Sequence, residues 1–235
     1  MGIRHLILVL LLTQLSPSDR AAVERYRSAI QSAESAASRL AIEPAFSAAR
    51  ALREALTQKL ESLGDEEFKN LQQLQGLLIN REEVVFIKPD VDYFTKLAAA
   101  SGDEADRAFF AALKATYPES VWPTYIEQQT DYSGCTRFGG MTLIEAYRVW
   151  LEFQRRFPNR YVSAANEETD AVLHELTQST CACGNAAGVE LELEQFLRRF
   201  PESPARVRIE QRLESLRSRR SDIRPNCTSG LCLYP

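Results

Sequence analysis

Five cysteines, two histidines and one aromatic-rich stretch hold most of the side chains in this 235-residue chain that could do chemistry. The cysteines stand at Cys135, Cys181, Cys183, Cys227 and Cys232. Thiols can pair as disulfides, hold zinc or shuttle electrons. Redox centres usually carry Cys-x-x-Cys, and Cys-x-Cys with Cys-x4-Cys is not a strong zinc spacing. The pattern favours structural disulfides. His5 lies in the N-terminal segment, which leaves His174, inside a predicted helix, as the histidine of the rest of the chain. A lone helical histidine reads as a residue without a chemical role. The sequence has no Gly-x-Ser-x-Gly, no Gly-rich phosphate loop and no metal-spaced histidine pair, so no catalytic residue, metal or cofactor is expected. Asp90 and Asp92 resemble a helix start, since a calcium loop needs oxygens at more alternating positions.

The stretch from Val121 to Phe138 has the most unusual composition. Trp122, Tyr125 and Tyr132 interleave with Gln128, Gln129, Asp131 and Arg137. Aromatics beside amides and charges are what glycan or peptide recognition uses, and these seven are the candidate binding residues. The competing expectation is that Trp122 and Tyr125 simply fill core. Glu127 or Asp131 could also serve a carboxylate-only glycosidase, whose chemistry needs two acids. The last helix is read as carrying Arg198, Arg199, Arg206, Arg208, Arg212, Arg217, Arg219 and Arg220, with Glu202, Glu210 and Glu214 between them. They could meet an anionic membrane surface, although a solvated face of Glu–Arg pairs is favoured. With 32 acidic against 28 basic residues, the chain is not expected to bind nucleic acid.

The elements that position these groups follow from periodicity. Val23, Tyr26, Ile30, Ala33, Ala37 and Leu40 recur at steps of three and four behind a Ser18 cap. Glu43-Pro44 breaks that helix, and Phe46, Ala49, Leu52, Leu56, Leu60 and Leu63 mark a second. The two should form an antiparallel hairpin. A short third helix carries Phe68, Leu71, Leu74 and Leu78. Glu83 to Pro89 reads as an extended connector with no strand to pair with. Further helices are expected near 91–100, 104–116, 119–130, 142–157, 160–178, 186–200 and 204–219. Thr142 with Glu145 matches a capping box, and Ser203-Pro204 an N-cap. Residues after Arg220 lack periodicity and should be ordered only if a disulfide holds them.

Three predicted helices end in an aromatic followed by proline, at Tyr117-Pro118, Phe157-Pro158 and Phe200-Pro201, 40 residues apart (117 to 157) and then 43 (157 to 200). Seven and four residues before each aromatic lie Phe110 and Leu113, Trp150 and Phe153, Leu193 and Phe196, one helix face written three times. With the FLRRFPESP ending, this resembles the tetratricopeptide-like repeats of bacterial envelope proteins over roughly 103–219. The resemblance implies partner recruitment along the inner curve of a helical stack.

Stacked hairpins place their connections along one edge, which gathers the cysteines. Cys135 should pair with Cys181 or Cys183, and the other of these with Cys227, leaving Cys232 spare. Arg4 and His5 before Leu6–Leu12 resemble a secretion signal, with a cut after Ser18. The expected organisation is a signal at 1–18, an N-terminal helical hairpin and connector at 19–89, a repeat domain at 90–220 and a cysteine-containing tail at 221–235. The fold class is all-α, a helical hairpin followed by about three tetratricopeptide-like repeats forming a disulfide-braced α-solenoid. The expected function is an exported, non-catalytic protein–protein interaction module, periplasmic or secreted. The alternative is an enzyme acting on envelope glycan or peptide through Trp122–Arg137.

Overall fold

A computed structural model describes residues 15–35, 40–82, 84–118, 122–130 and 133–227. The elements run α1 (Pro17–Glu34), α2 (Ile42–Leu56), a 3₁₀ turn (Thr57–Ser62), α3 (Asp65–Gln72), β1 (Leu77–Asn80), β2 (Phe86–Pro89), α4 (Val91–Ser101) and α5 (Glu104–Thr116), then β3 (Ile126–Gln128), β4 (Gly134–Thr136), α6 (Thr142–Arg156), α7 (Val162–Gln178), α8 (Ala186–Arg199) and α9 (Arg206–Arg217). The chain is mostly helical and forms two compact units, one ending at Ala111 and one beginning at Ala112, so the boundary falls inside α5.

In the first unit α1 packs on α2. Lys59, just past α2, binds Asp19 in the first turn of α1 at 2.7 Å, so the two helices run antiparallel. Val23, Tyr26, Ile30 and Ala33 are buried as the seam requires. Leu40 instead stands 61% exposed, and Ala37 lies outside the described residues. The cap of α1 is Ser16 rather than Ser18: its hydroxyl accepts the Asp19 N–H at 3.2 Å and donates to the Asp19 carboxylate at 2.7 Å. Phe46 of α2 contacts Phe94, Phe109 and Phe110 at 5.2–5.4 Å between ring centres, mostly edge to face, which makes the aromatic centre of this core.

The connector does find a partner. Strand β2 pairs antiparallel with β1, Ile79 opposite Ile87 and Leu78 opposite Lys88. Leu74 and Leu78 keep a helical spacing, but α3 stops at Gln72 and Gly76 turns the chain at φ +73°. A Cβ there would stand 2.8 Å from the Tyr93 ring, so only glycine fits.

In the second unit α6 with α7, and α8 with α9, form packed helix pairs. Both first helices end alike: Phe157 (φ −133°, ψ 63°) and Phe200 (φ −127°, ψ 64°) each donate back four residues, at 2.9 Å. Arg160 and Ser203 then donate to those two aromatic carbonyls at 3.1 Å. Tyr117 closes α5 with the same four-residue bond, yet the helix expected at 119–130 is replaced by the β3–β4 hairpin. The reason is Pro123, which in a helix interior would lose a hydrogen bond and clash with the preceding turn. The all-α expectation is thus corrected to a mostly helical fold with two small β-hairpins, and the aromatic–proline turn leads into a helix at two of its three occurrences.

Helix α9 starts two residues beyond the Ser203-Pro204 cap, with Ala205 at its N-cap. Leu6–Leu12 and Cys232 lie outside the described residues.

Candidate functional site

The hairpin β3–β4 opens a seam of short extended segments. Ile126 faces Thr136 and Glu127 faces Cys135 across the hairpin. Thr136 bridges in parallel to Ala182, and Cys181 to Arg224. Backbone bonds of 2.8–3.0 Å join Thr136 to Cys181, Cys183 to Thr136, Ala182 to Arg224 and Cys227 to Ala182. Two disulfides lock the seam, Cys135–Cys183 and Cys181–Cys227. The pairing is therefore one of the two that the gathered edge allowed, and the tail through Cys227 is held by it. Gln129 donates to the Cys135 sulfur at 3.3 Å.

Between this hairpin and α7 lies a cavity of about 540 Å³ whose wall includes Tyr117, Trp122, Tyr125, His174, Glu175 and Ser179. Its polar groups are arranged in advance. The hydroxyl of Thr136, a residue 1% exposed, donates to Glu175 at 2.6 Å and lies 2.5 Å from the Ser179 hydroxyl. Tyr117 donates its hydroxyl to Glu168 at 3.1 Å. Glu168 and Glu175 are seven residues apart on α7, two turns and roughly 10 Å along one face. Burial pushes the Tyr125 phenol well above its usual pKa, and the nearby charges of Glu168 and Glu175 push it further the same way.

Of the seven sequence candidates, the structure brings Trp122 and Tyr125 to this cavity. Tyr125 is buried in the core beneath it, whereas Trp122 is half-buried in its wall. Gln128 and Arg137 are exposed and outside the wall, and Arg137 faces Glu127 at 3.8 Å in an exposed pair of small energetic weight. Asp131 and Tyr132 lie outside the described residues. Tyr117, Glu168, His174, Glu175 and Ser179 were not singled out as site residues by the sequence. The available signal was a set of polar residues at helical spacing, Glu168, Glu175 and Gln178, running beside the buried Val172 and Leu176.

Two buried charges fix the helices that frame the seam. No capping box forms at Thr142; the N-cap of α6 is Met141 at φ +59°, without a side-chain cap bond. Glu192 of α8 supplies the cap, accepting the N–H groups of Gly139 at 2.5 Å and Met141 at 3.1 Å. Gly139 sits at φ +88°, and its Cβ would stand 3.0 Å from Gly188, so the loop approaches α8 closely enough for this reach. Burial raises the Glu192 pKa, opposed by those N–H groups and those of Ile144 and Leu143. Glu145 instead binds Arg148 and Arg199, each at 2.8 Å.

Arg212 of α9 serves the opposite end of α7. It donates to the Leu176 carbonyl at 3.0 Å, to the Ser179 carbonyl and to Asp222 at 3.2 Å. It is 8% exposed, so it belongs to the interior and not to a basic surface. Arg198 and Arg199 belong to α8. Arg206 pairs with Glu210 at 2.9 Å, and Arg217 with Glu190 at 2.7 Å and with Glu194. Of the interleaved glutamates, Glu210 thus pairs within α9, whereas the partners of Arg217 come from α8.

Among the described residues no group of three or more His, Cys, Asp or Glu side chains is placed to hold a metal ion, and no helix is long and apolar enough to cross a membrane. The two disulfides are compatible with an oxidising, extracytoplasmic location. Compared with protein-family models, curated proteins and solved structures, the chain matches none of them.

Proposed function

We propose that the protein is exported and works as a non-catalytic interaction module of the cell envelope, receiving a protein partner in the groove between the β3–β4 hairpin and α7. The observation that carries this reading is the preset wall of that groove, with Tyr117 and Trp122 beside Glu175, on a frame held by two disulfides. A binding surface gains affinity when its groups are ordered before the partner arrives. The twin aromatic–proline turns support a tetratricopeptide-like shape for α6–α9, as two hairpins.

The carboxylate-enzyme alternative is weaker on this geometry. A glycosidase needs two acids flanking the scissile bond. Here Glu168 and Glu175 share one helix face, each accepts a hydroxyl from its own neighbour, and Glu127 faces Arg137.

Site-specific cross-linking tests the proposal. A photoreactive residue introduced in place of Trp122 should capture a defined envelope protein that the same residue in place of exposed Val207 does not. Identical capture from both positions, or release of soluble fragments from envelope glycan by wild type but not by Glu175→Gln, would overturn it. Export has its own test at the N-terminus. A cut after Ser18 would remove both the Ser16 cap and buried Leu15 from α1, so N-terminal sequencing of the mature protein should find a start at or before Leu15.

A further inference from the structure

This inference rests on reading the groove as a binding site and names the chemistry of what enters it. Among the described residues the cavity wall contains no lysine or arginine, and Glu175 is its one acidic side chain. Glu127, outside the wall, has a guanidinium for a neighbour, Arg137 at 3.8 Å. Glu175 is held differently: Thr136 gives it a neutral hydroxyl at 2.6 Å, which fixes its position without supplying a counter-ion. Aromatic rings attract cations within about 6 Å of their faces, and Tyr117 and Trp122 both line this space. A volume of about 540 Å³ falls inside the roughly 300–1,000 Å³ typical of ligand pockets.

From this charge complementarity we infer that the groove takes the ammonium or guanidinium group of a lysine or arginine side chain on a protein partner. Glu175 supplies the counter-charge, and Tyr117 and Trp122 supply the aromatic wall. The arrangement also discriminates, because an acidic side chain would meet Glu175 with no lysine or arginine among the described wall residues to offset it, His174 being the one nitrogen base there.

Tryptophan fluorescence gives a direct readout. The chain has two tryptophans, and Trp150 is 0% exposed, so a ligand-dependent signal reports Trp122. The full chain is titrated with the capped tripeptide Gly-Lys-Gly, with its Nε-acetyl-lysine form and with Gly-Glu-Gly. The lysine peptide should change the emission saturably, and acetylation should weaken binding by about tenfold or more, the scale of one charge-assisted hydrogen bond. E175Q should weaken it similarly while still accepting the Thr136 hydroxyl, with circular dichroism and disulfide content unchanged. Rising salt should weaken wild-type binding more than that of E175Q. Equal binding of the acetylated peptide, or of the lysine peptide by folded E175Q, overturns the cation assignment. If either occurs while cross-linking from position 122 still captures a partner, the groove remains a docking site for a different chemistry. If no peptide alters the emission and cross-linking is silent, both readings fall.

Discussion

Glu192 is a carboxylate with no exposed surface, and what it meets inside is a set of backbone N–H dipoles, not a cation. Burial outweighs those dipoles, so its pKa rises above the ordinary 4.5. A carboxylate whose folded pKa exceeds its unfolded one stabilises the fold while protonated. That contribution is complete below the unfolded pKa and declines as pH climbs through the folded value. Glu192→Gln removes the titration and keeps an acceptor for Gly139 and Met141. Urea unfolding over a pH series upward from 4.5 should therefore give the variant a flatter or more rising stability profile than wild type. Parallel profiles would show that Glu192 titrates alike in both states. Lys88 makes a separate case in the first unit. Burial, helped by the charge of Arg53, lowers its pKa to about 8. At that pH about half its amines are neutral, against roughly one in 300 for an ordinary lysine. Limited acylation near pH 8 should label Lys88 ahead of the other lysines, and uniform labelling would refute the lowered value.

At the level of elements, α6 and α7 are each completed by a side chain from a later helix. Arg212 meets carbonyls 33 and 36 residues away, and Glu192 meets N–H groups 51 and 53 away. Arg212→Met keeps much of the buried stem but orphans the Leu176 and Ser179 carbonyls. Given the usual cost of leaving buried partners of a charged group unmade, it should cost about 2–4 kcal/mol in denaturant unfolding. A loss below about 0.5 kcal/mol, the range of an ordinary surface substitution, would mean that water replaces the guanidinium at no net cost. Such partnerships explain what the sequence could and could not reveal. Helices α4 to α9 were legible within a residue or two because their apolar periodicity is local. So was the gathering of four cysteines along one edge. The caps were not legible, because no nearby residue signals a partner fifty positions away. The stretch around Trp122 failed for another reason: its aromatic spacing suited a helix, but Pro123 ruled one out. Strand β1 was hidden by Leu74 and Leu78, whose spacing imitates a continuing helix until Gly76 turns the chain. Of the site, Trp122 stood out by composition, whereas Glu175 became visible only once α7 and the hairpin were side by side.

Across the whole molecule, covalent bracing is confined to one unit. No cysteine precedes Cys135, so α1 to α4 and the β1–β2 hairpin hold together by packing, hydrogen bonds and ion pairs without a disulfide. In the second unit the disulfides close sequence separations of 48 and 46 residues. Each loop closure is worth at most about 4 kcal/mol in the chain-entropy model, and the two overlap, so their sum is smaller. The seam they lock also forms the floor under Trp122 and Glu175, since Thr136 and Cys181 belong both to the seam and to the cavity wall. Reduction should therefore act locally and on function together. Hydrogen exchange on the full chain, with and without a thiol reductant, should show faster exchange at 134–136, 180–184 and 224–227 on reduction. Amides around Val23, Leu52 and Leu56, which are 0% exposed in the first unit, should keep their protection. The paired variant Cys181→Ser with Cys227→Ser should free the tail segment while leaving β3–β4 tied to Cys183. Cys135→Ser with Cys183→Ser should instead loosen the hairpin and reduce any Trp122-dependent binding. If reduction were to strip protection equally from both units, the first would not be standing on its own core, and the assignment of bracing to the second would have to be abandoned.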